Sequence, residues 1–287
     1  MKYNILVFIL FFGFYLGFSQ DAVQMKLDFN FVPKESNSFG FNNSSVEINV
    51  PTKLNNGLLI NSLSYSKYKI DYASGESINT ESLECFNAIS YSLKYLNILN
   101  SKWSYSLQFS PTISSNFKYK LTFEDLIFNG EILFTRKFKE SNLQVGLLNN
   151  SNLGFKNLVP VIAFNSSIND KINYTLGFPE SKIEYELNAT NSANLYIKPK
   201  GFYTNLSDDI VLSSSESAEK ALFKSVITGL NYTHKIDDFW KISLDAGYQL
   251  KSDYKLLNSN RSVYEFSTKN KLFVSLNLKF DLLNSKN

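Results

Sequence analysis

The sequence is poor in the residues that crosslink a chain or hold a metal. It has one cysteine and one histidine among 287 residues. Cys85 alone cannot form an intramolecular disulfide, and together with one histidine it offers no ligand cluster with the spacing of a metal site. The composition therefore predicts no cofactor and no metal, and it leaves the backbone hydrogen-bond ladder as the main source of stability.

Long hydrophobic runs are also scarce. The uncharged stretch from Ile5 to Phe18 is shorter than the roughly 20 residues that a membrane-spanning helix needs. Small residues at Gly17 and Ser19 fit the two positions that a signal peptidase reads. We therefore predict a cleaved signal peptide over residues 1–20 and a single domain over residues 21–287. No later stretch is long and apolar enough for a membrane helix, which excludes a helical membrane protein.

Charge of one sign is not concentrated anywhere. The 29 Lys and Arg and the 26 Asp and Glu leave a net charge of +3, and they are scattered along the chain. A nucleic-acid partner would require a dense basic face, so none is expected.

Aromatic residues are abundant. The chain has 25 Phe and 17 Tyr, many Asn and Ser, and a mean hydropathy of −0.17. A transmembrane β-barrel has this composition because its strands turn only every second side chain to lipid and so average to mild polarity.

A two-residue period is clearest in two segments near the C-terminus, Trp240–Leu250 and Leu272–Leu282. Each runs about 11 residues, the length that a tilted strand needs to cross a bilayer. In this register Leu244 faces lipid. The polar positions expected to line a lumen are Lys241, Ser243, Asp245, Gln249, Lys251, Lys279 and Asp281.

Similar alternation recurs along the mature chain and predicts an all-β fold, a transmembrane antiparallel up-and-down β-barrel of about fourteen strands, with twelve as an alternative. The connections alternate in length. Short turns are expected on the periplasmic side, and Pro179–Lys182 is a short link where a long one is expected. The long extracellular loops are predicted at Pro33–Ser44, Ala73–Leu83, Pro111–Ile127, Leu206–Leu222 and Lys251–Asn270.

Candidates for catalysis are few. His234 is the only histidine that a Ser/His hydrolase could use, and its parity places it on the lipid-facing side near a short turn. Acid pairs at Glu124-Asp125 and Asp208-Asp209 fall in predicted loops, where carboxylates are normally just solvated. We therefore expect no catalytic residue.

The segment Phe128–Leu187 carries a resemblance to a known family. Its distinctive pieces are Gly130–Phe138, Leu143–Leu148, Pro160 and Ile168–Tyr185. They resemble uncharacterised outer-membrane β-barrel proteins of the Bacteroidota, known only as a domain of unknown function. The resemblance implies a barrel fold and a place in the cell outer membrane of a Gram-negative bacterium, and it brings no substrate or catalytic residue.

These observations favour a non-enzymatic, porin-like barrel that lets small solutes cross or binds them. A structural or accessory barrel of a secretion or surface-attachment system is the alternative, and an outer-membrane hydrolase comes third. The expected partners are outer-membrane lipid, the barrel-insertion machinery and small solutes.

Overall fold

The computed structural model describes residues 23–35, 38–73, 76–213 and 216–281. The predicted signal peptide lies outside these residues. Within them the chain forms fifteen strands and three single 3-10 turns, Glu81–Leu83, Phe123–Asp125 and Ser151–Leu153. The strands are β1 (Gln24–Val32), β2 (Gly40–Leu54), β3 (Gly57–Asp71), β4 (Cys85–Ile98), β5 (Trp103–Ser115), β6 (Leu126–Lys137), β7 (Ser141–Asn149), β8 (Val159–Asn169), β9 (Ile172–Phe178), β10 (Ser181–Asn188), β11 (Asn191–Ser213), β12 (Glu216–Lys235), β13 (Trp240–Asn258), β14 (Arg261–Phe266) and β15 (Lys271–Asp281).

Fourteen of the described strands form a closed antiparallel barrel. Sequential strands pair from β1 to β13, and β15 pairs with both β13 and β1 to close the ring. β14 is an extra strand that pairs only with the far end of β13. The all-β barrel is thus confirmed with fourteen strands in its wall, and the twelve-strand alternative is wrong.

The two ends of the barrel differ in their connections. One end, here called the turn end, carries the links at residues 55–56, 99–102, 138–140, 170–171, 189–190 and 236–239. Gln24, the first residue of β1, pairs with Asp281, the last residue of β15. The first strand of the barrel therefore begins, and the last strand ends, at the turn end. The opposite end, here called the loop end, carries the links at 33–39, 72–84, 116–125 and 150–158, together with the short link at 179–180.

Two expected long loops are strands instead. β11 and β12 stay paired as far as Ser213 and Glu216, across most of the span predicted as a loop from Leu206 to Leu222. β13 likewise continues to Asn258 and then pairs with β14, inside the predicted loop from Lys251 to Asn270. The sequence there lacks clean alternation because side chains on both faces of this sheet are buried. Leu222 and Phe223 are adjacent, so they point to opposite faces, and both are buried.

Side chains alternate between an apolar outer face and a polar inner face. Leu244 is 53% exposed on the outside, whereas its neighbour Asp245 is 8% exposed on the inside. Every wall strand places an exposed apolar side chain outward: Phe29, Ile48, Leu63, Leu93, Leu107, Ile132, Val145, Ile162, Leu176, Ile183, Leu195, Leu230, Leu244 and Val274. Among the described residues, no helix has the length and hydrophobicity needed to span a membrane.

Candidate functional site

The barrel interior at the loop end is filled by a core of aromatic rings. The ring of Phe86 on β4 lies 5.5 Å from that of Phe202 on β11, and Tyr68 on β3 lies 5.0 Å from Phe202. β4 and β11 are seven strands apart in a ring of fourteen, so they are diametrically opposed. An undistorted barrel of this size would be about 28 Å across, from the strand spacing and tilt. Opposite walls therefore meet through side chains at this level.

A sheet that leans across the mouth brings these rings together. It comprises residues 198–213 of β11, 216–226 of β12, 251–258 of β13 and all of β14, and we call it the cap sheet. Its inward-facing rings, Phe202, Phe223 and Tyr254, pack on one another at 5.6 to 6.1 Å between centroids. Phe41 on β2 completes the contact with Phe223 at 5.3 Å. This aromatic core closes the loop end in the described residues.

Polar contacts fix the far edge of the cap sheet to the opposite wall. The Ser114 hydroxyl on β5 donates to Thr204 Oγ1 over 2.9 Å. Asn205 Nδ2 donates over 2.9 Å to Asp125 Oδ1, a carboxylate with no exposed surface that also accepts from the backbone N–H of Thr122. Asp125, which the sequence suggested as a solvated loop acid, is therefore a structural clamp between the β5–β6 link and β11.

A tyrosine pair joins the cap sheet to the β3–β4 link. The Tyr72 hydroxyl is hydrogen-bonded to that of Tyr254 and donates to the Leu83 carbonyl oxygen over 3.1 Å. Burial, followed by the neighbouring Tyr254 hydroxyl, raises the pKa of Tyr72 well above its ordinary value. The phenol therefore stays neutral and keeps its proton for donation.

Beneath the aromatic core lie two adjoining cavities. The first chamber, of about 370 Å³, has Tyr68 and Phe273 of the core in its lining, beside a polar set comprising Asp28, Asn30, Ser45, Lys198, Lys200, Asp245 and Ser275. The second chamber, of about 620 Å³, is lined by Lys26, Asn49, Ser62, Ser92, Lys94, Gln108, Ser110, Asn129 and Glu131 among others. Glu47, Ser64 and Asn152 belong to both chambers, so the two cavities share a boundary.

Hydroxyl and amide groups dominate the second chamber. Gln108 Nε2 donates to the hydroxyls of Ser92 at 3.0 Å and Ser110 at 3.1 Å. Asn129 donates to Ser151 Oγ over 2.9 Å and accepts from the Ser151 backbone N–H over 2.8 Å. Such groups can donate and accept in turn, which suits polar solutes with hydroxyl or amide groups.

The charges in the second chamber are compensated. Lys26 Nζ lies 3.1 Å from Glu47 Oε1, and Lys94 Nζ lies 3.2 Å from Glu131 Oε1. In the first chamber Lys200 has no ion-pair partner within 4 Å among the described residues, although Asp28 and Asp245 line the same cavity. A mixed lining of this kind gives weak selection by charge and favours binding through hydrogen bonds.

Six of the seven residues expected in the lumen lie on the inner face. Lys241, Ser243, Asp245 and Gln249 alternate with outward residues on β13, and Lys279 and Asp281 do so on β15. Only Asp245 lines a described chamber, where its carboxylate accepts from Asn277 over 2.6 Å. Ser243 shares a hydrogen bond of 2.8 Å with Thr233, and Lys279 pairs with Asp281 at 3.4 Å. Solute contact by these residues stays a prediction.

Lys251 requires a correction. The register slips between Val226 and Ile227, so that Ile227 pairs with Gln249 whereas Val226 pairs with Lys251. Leu250 is thus the extra residue of a β-bulge, and the bulge turns Lys251 to the outer face beside Val226. Strict alternation, on which the sequence assignment depended, fails at this residue.

The hydrolase candidates do not form a catalytic group. His234 lies at the turn end, where its Nδ1 is 2.7 Å from Asn191 Oδ1. The described residues contain no group of three or more His, Cys, Asp or Glu that could hold a metal. Glu124 lies at the opposite end of the barrel, next to the clamp residue Asp125.

Sequence reasoning missed the aromatic core. Its members alternate along their strands like any other inward residues, and Phe223 and Tyr254 fall in segments that were expected to be, or to border, loops. The usable signal was the presence of Phe and Tyr at inward positions near the loop end, where other inward positions are Ser and Asn.

Comparisons with known proteins bear on family and fold. The model of the family described as "Domain of unknown function (DUF6268)" matches residues 37–282. No curated protein matches the chain. Several solved structures are similar, and three of them serve as examples. They are a NanC porin (7% identity, TM-score 0.40, covering 90% of this chain and 99% of that one), a KdgM porin in complex with disordered oligogalacturonate (8%, 0.38, 91% and 98%) and a Pseudomonas aeruginosa FadL homologue (9%, 0.47, 91% and 90%).

Proposed function

This chain belongs to the DUF6268 family, and we propose that it is a non-enzymatic outer-membrane barrel that binds small polar solutes in its lumen and passes them across the membrane. The proposal includes a cleaved signal peptide at residues 1–20, delivery to the barrel-insertion machinery and an origin in the Bacteroidota. We also propose that the turn end faces the periplasm and that the loop end faces the cell exterior.

The outer face supports the membrane location. An exposed apolar side chain on each of the fourteen described wall strands would be a large unfavourable surface in water. The same belt is favourable against hydrocarbon, as in bacterial outer-membrane barrels. Trp103 and Trp240, each at the turn-end start of its strand, suit one membrane interface.

The observation that carries the solute proposal is the pair of adjoining polar chambers beneath the aromatic core. Their volumes, about 370 and 620 Å³, fall within the usual range for small-molecule sites. Their lining offers hydroxyl groups, amide groups and charged groups of both signs rather than a field of one sign. A solute held there by hydrogen bonds would leave toward the exterior only when the cap sheet moves.

Conductance in planar bilayers tests this function. The wild-type barrel should show little current, because aromatic rings fill the lumen at the loop end. The double variant Phe202→Ala with Phe223→Ala removes two cross-strand partners of the core and should raise the current well above the wild-type level. Vesicle swelling with a neutral sugar should rise in parallel, since the chambers then open to the outside.

A matched control removes two rings from the outer face. Phe109 and Phe128 stack at 5.9 Å and are both exposed. Their double replacement by Ala should leave conductance at the wild-type level. If the core variant refolds, as judged by its heat-modifiable gel mobility, and conducts no better than this control, the proposed solute path is contradicted.

A structural or accessory barrel is the second candidate, and the closure of the loop end favours it. A barrel that only anchors partners has no need of an open lumen, and the aromatic core and the Asp125 clamp would then serve rigidity alone. A folded core variant without conductance would favour this candidate.

A further inference from the structure

The barrel wall has a notch at the loop end between β8 and β11. The β9–β10 hairpin is short, and its link lies at residues 179–180. On one side the last described β8–β9 pair joins Ile162 to Phe178, and on the other the last β10–β11 pair joins Ser181 to Ile197. Above Ile197 the edge of β11 therefore has no strand partner on this side.

The β7–β8 link fills the notch from the inside outward. Ser151 is held on the lumen side by the side chain of Asn129. Gly154 follows with a φ of 74°, in the left-handed region, and an added Cβ there would lie 2.5 Å from the Phe223 carbonyl oxygen. The ring of Phe155 then packs at 5.7 Å from the outward-facing ring of Phe178. Only glycine permits this close passage through the wall.

A groove of about 640 Å³ lies on the outer face beside this link. Its apolar lining consists of Leu153, Phe155, Phe178, Pro179, Ile197, Pro199 and Val226. Leu153, Lys198 and Pro199 also line the first chamber, so these three residues separate the groove from the lumen. Gly177 also lines the groove, and a Cβ at its φ of 151° would collide with the Ile162 carbonyl oxygen.

The basic groups at the groove are only partly neutralised. Lys224 lies 3.4 Å from Asp253, and Lys198 lies 3.7 Å from Glu180. Lys251, turned outward by the bulge at Leu250, has no acidic group within 4 Å in the described part of the chain. One unpaired cation thus borders a groove whose walls are largely apolar.

We propose that this groove binds one acyl chain of an anionic lipid from the surrounding membrane, with Lys251 at the headgroup. Hydrocarbon suits the apolar walls, and a lysine at the membrane surface attracts anionic lipid while its own stem covers apolar surface. The inference rests on the proposed outer-membrane location. It extends that proposal, because it assigns a lipid-binding site on the outer wall, separate from the polar chambers.

Tryptophan quenching by brominated lipid tests the site. Phe155→Trp, made in a background with Trp103→Phe and Trp240→Phe, places one fluorophore in the groove. Phe128→Trp in the same background places a control fluorophore on the outer face near the loop end, away from the groove. Each barrel is refolded in vesicles of neutral lipid with a fraction of brominated phosphatidylglycerol or brominated phosphatidylcholine.

We expect the fluorophore at position 155 to favour brominated phosphatidylglycerol by about fivefold in relative binding constant, the contribution typical of one surface lysine. The control at position 128 should show no such preference. Lys251→Gln should abolish the preference at position 155, whereas Lys67→Gln, an outward lysine on β3 without a groove, should preserve it.

Three results would overturn the proposal, and they are distinguishable. Quenching at position 128 but not at position 155 would show a barrel in lipid whose groove excludes acyl chains. Equal quenching of position 155 by both lipids, or a preference that survives Lys251→Gln, would refute the anionic assignment. Absence of quenching at both positions would contradict the membrane location itself, and the lipid site with it.

Discussion

The two halves of this barrel differ in the side chains that they place inside the ring of fourteen strands. At the turn end the inward side chains are mainly Ser, Asn, Gln and paired charges that line open chambers. At the loop end many inward positions are Phe and Tyr, and these rings are buried and packed against one another. The difference arises because the cap sheet crosses the mouth only at the loop end, where inward rings meet others and are removed from water.

The comparison shows that strand parity decides only whether a side chain points inward. Whether an inward position is polar depends on the distance to the opposite wall. A wall facing water or a solute favours hydroxyls and amides, whereas a wall in contact with its opposite gains free energy from burying rings. One half of the interior therefore has polar cavities, whereas the other half is packed with rings.

The largest effect is expected when one ring is removed from the aromatic core. Phe223 is 1% exposed and contacts four other rings, so Phe223→Ala should lower the free energy of unfolding by about 3 to 5 kcal/mol. Urea unfolding in lipid vesicles measures it. The outward Phe109→Ala leaves no buried cavity and should cost clearly less. Similar losses for the two variants would mean that the loop-end interior is not packed.

The second prediction tests the inner and outer faces of one strand. Leu244→Arg places a charge on the outer face near the middle of the wall part of β13, residues 240–250, and should destabilise the barrel by about 2 to 4 kcal/mol in lipid. Ser243→Arg, on the lumen side, should be nearly neutral. Both variants add the same side chain one residue apart. Refolding into vesicles, read by heat-modifiable mobility, compares them. Equal tolerance would argue against lipid on the outer face.

The third prediction concerns the Asp125 clamp, which holds the cap sheet to the opposite wall. Asp125→Ala leaves the Thr122 N–H and the Asn205 amide without their shared acceptor, and a loss of about 1 to 3 kcal/mol is expected. Because the clamp holds the edge of the cap sheet, the conductance of this variant should also rise above the wild-type level. Glu124→Ala, at the neighbouring exposed residue, is the control. A stability loss without any rise in current would separate the clamp from closure of the lumen.

The smallest stability effect is expected in the polar half. Lys94→Gln removes one partner of a solvated ion pair with Glu131, so the free energy of unfolding should change by no more than about 0.5 to 1 kcal/mol. Selectivity should respond more than stability, because Glu131 is left uncompensated and attracts cations. Reversal potentials in a salt gradient, measured in the Phe202→Ala and Phe223→Ala background, report this shift. Lys171→Gln, at a turn, should leave the potential unchanged.

Local pattern in the sequence was enough for the wall. Alternation in segments such as Trp240–Leu250 predicted the strands, favoured fourteen of them over twelve, and predicted the outward position of Leu244. It could do so because side chains on a strand alternate whatever the strand pairs with. The lumen positions Ser243 and Asp245 followed from the same rule. Alternation along a strand depends only on the order of adjacent residues, so the sequence is enough to predict it.

Features that depend on contacts between distant segments could not be predicted from the local pattern. The bulge that turns Lys251 outward is a mismatch between β12 and β13, and neither strand shows it by itself. The continuation of β11 and β12 past the wall is stabilised by pairing with each other and by contacts to β5, from which they are far removed in sequence. The aromatic core exists because opposite walls approach, which depends on the curvature of the whole sheet, and the periodicity of a single strand carries no information about that curvature.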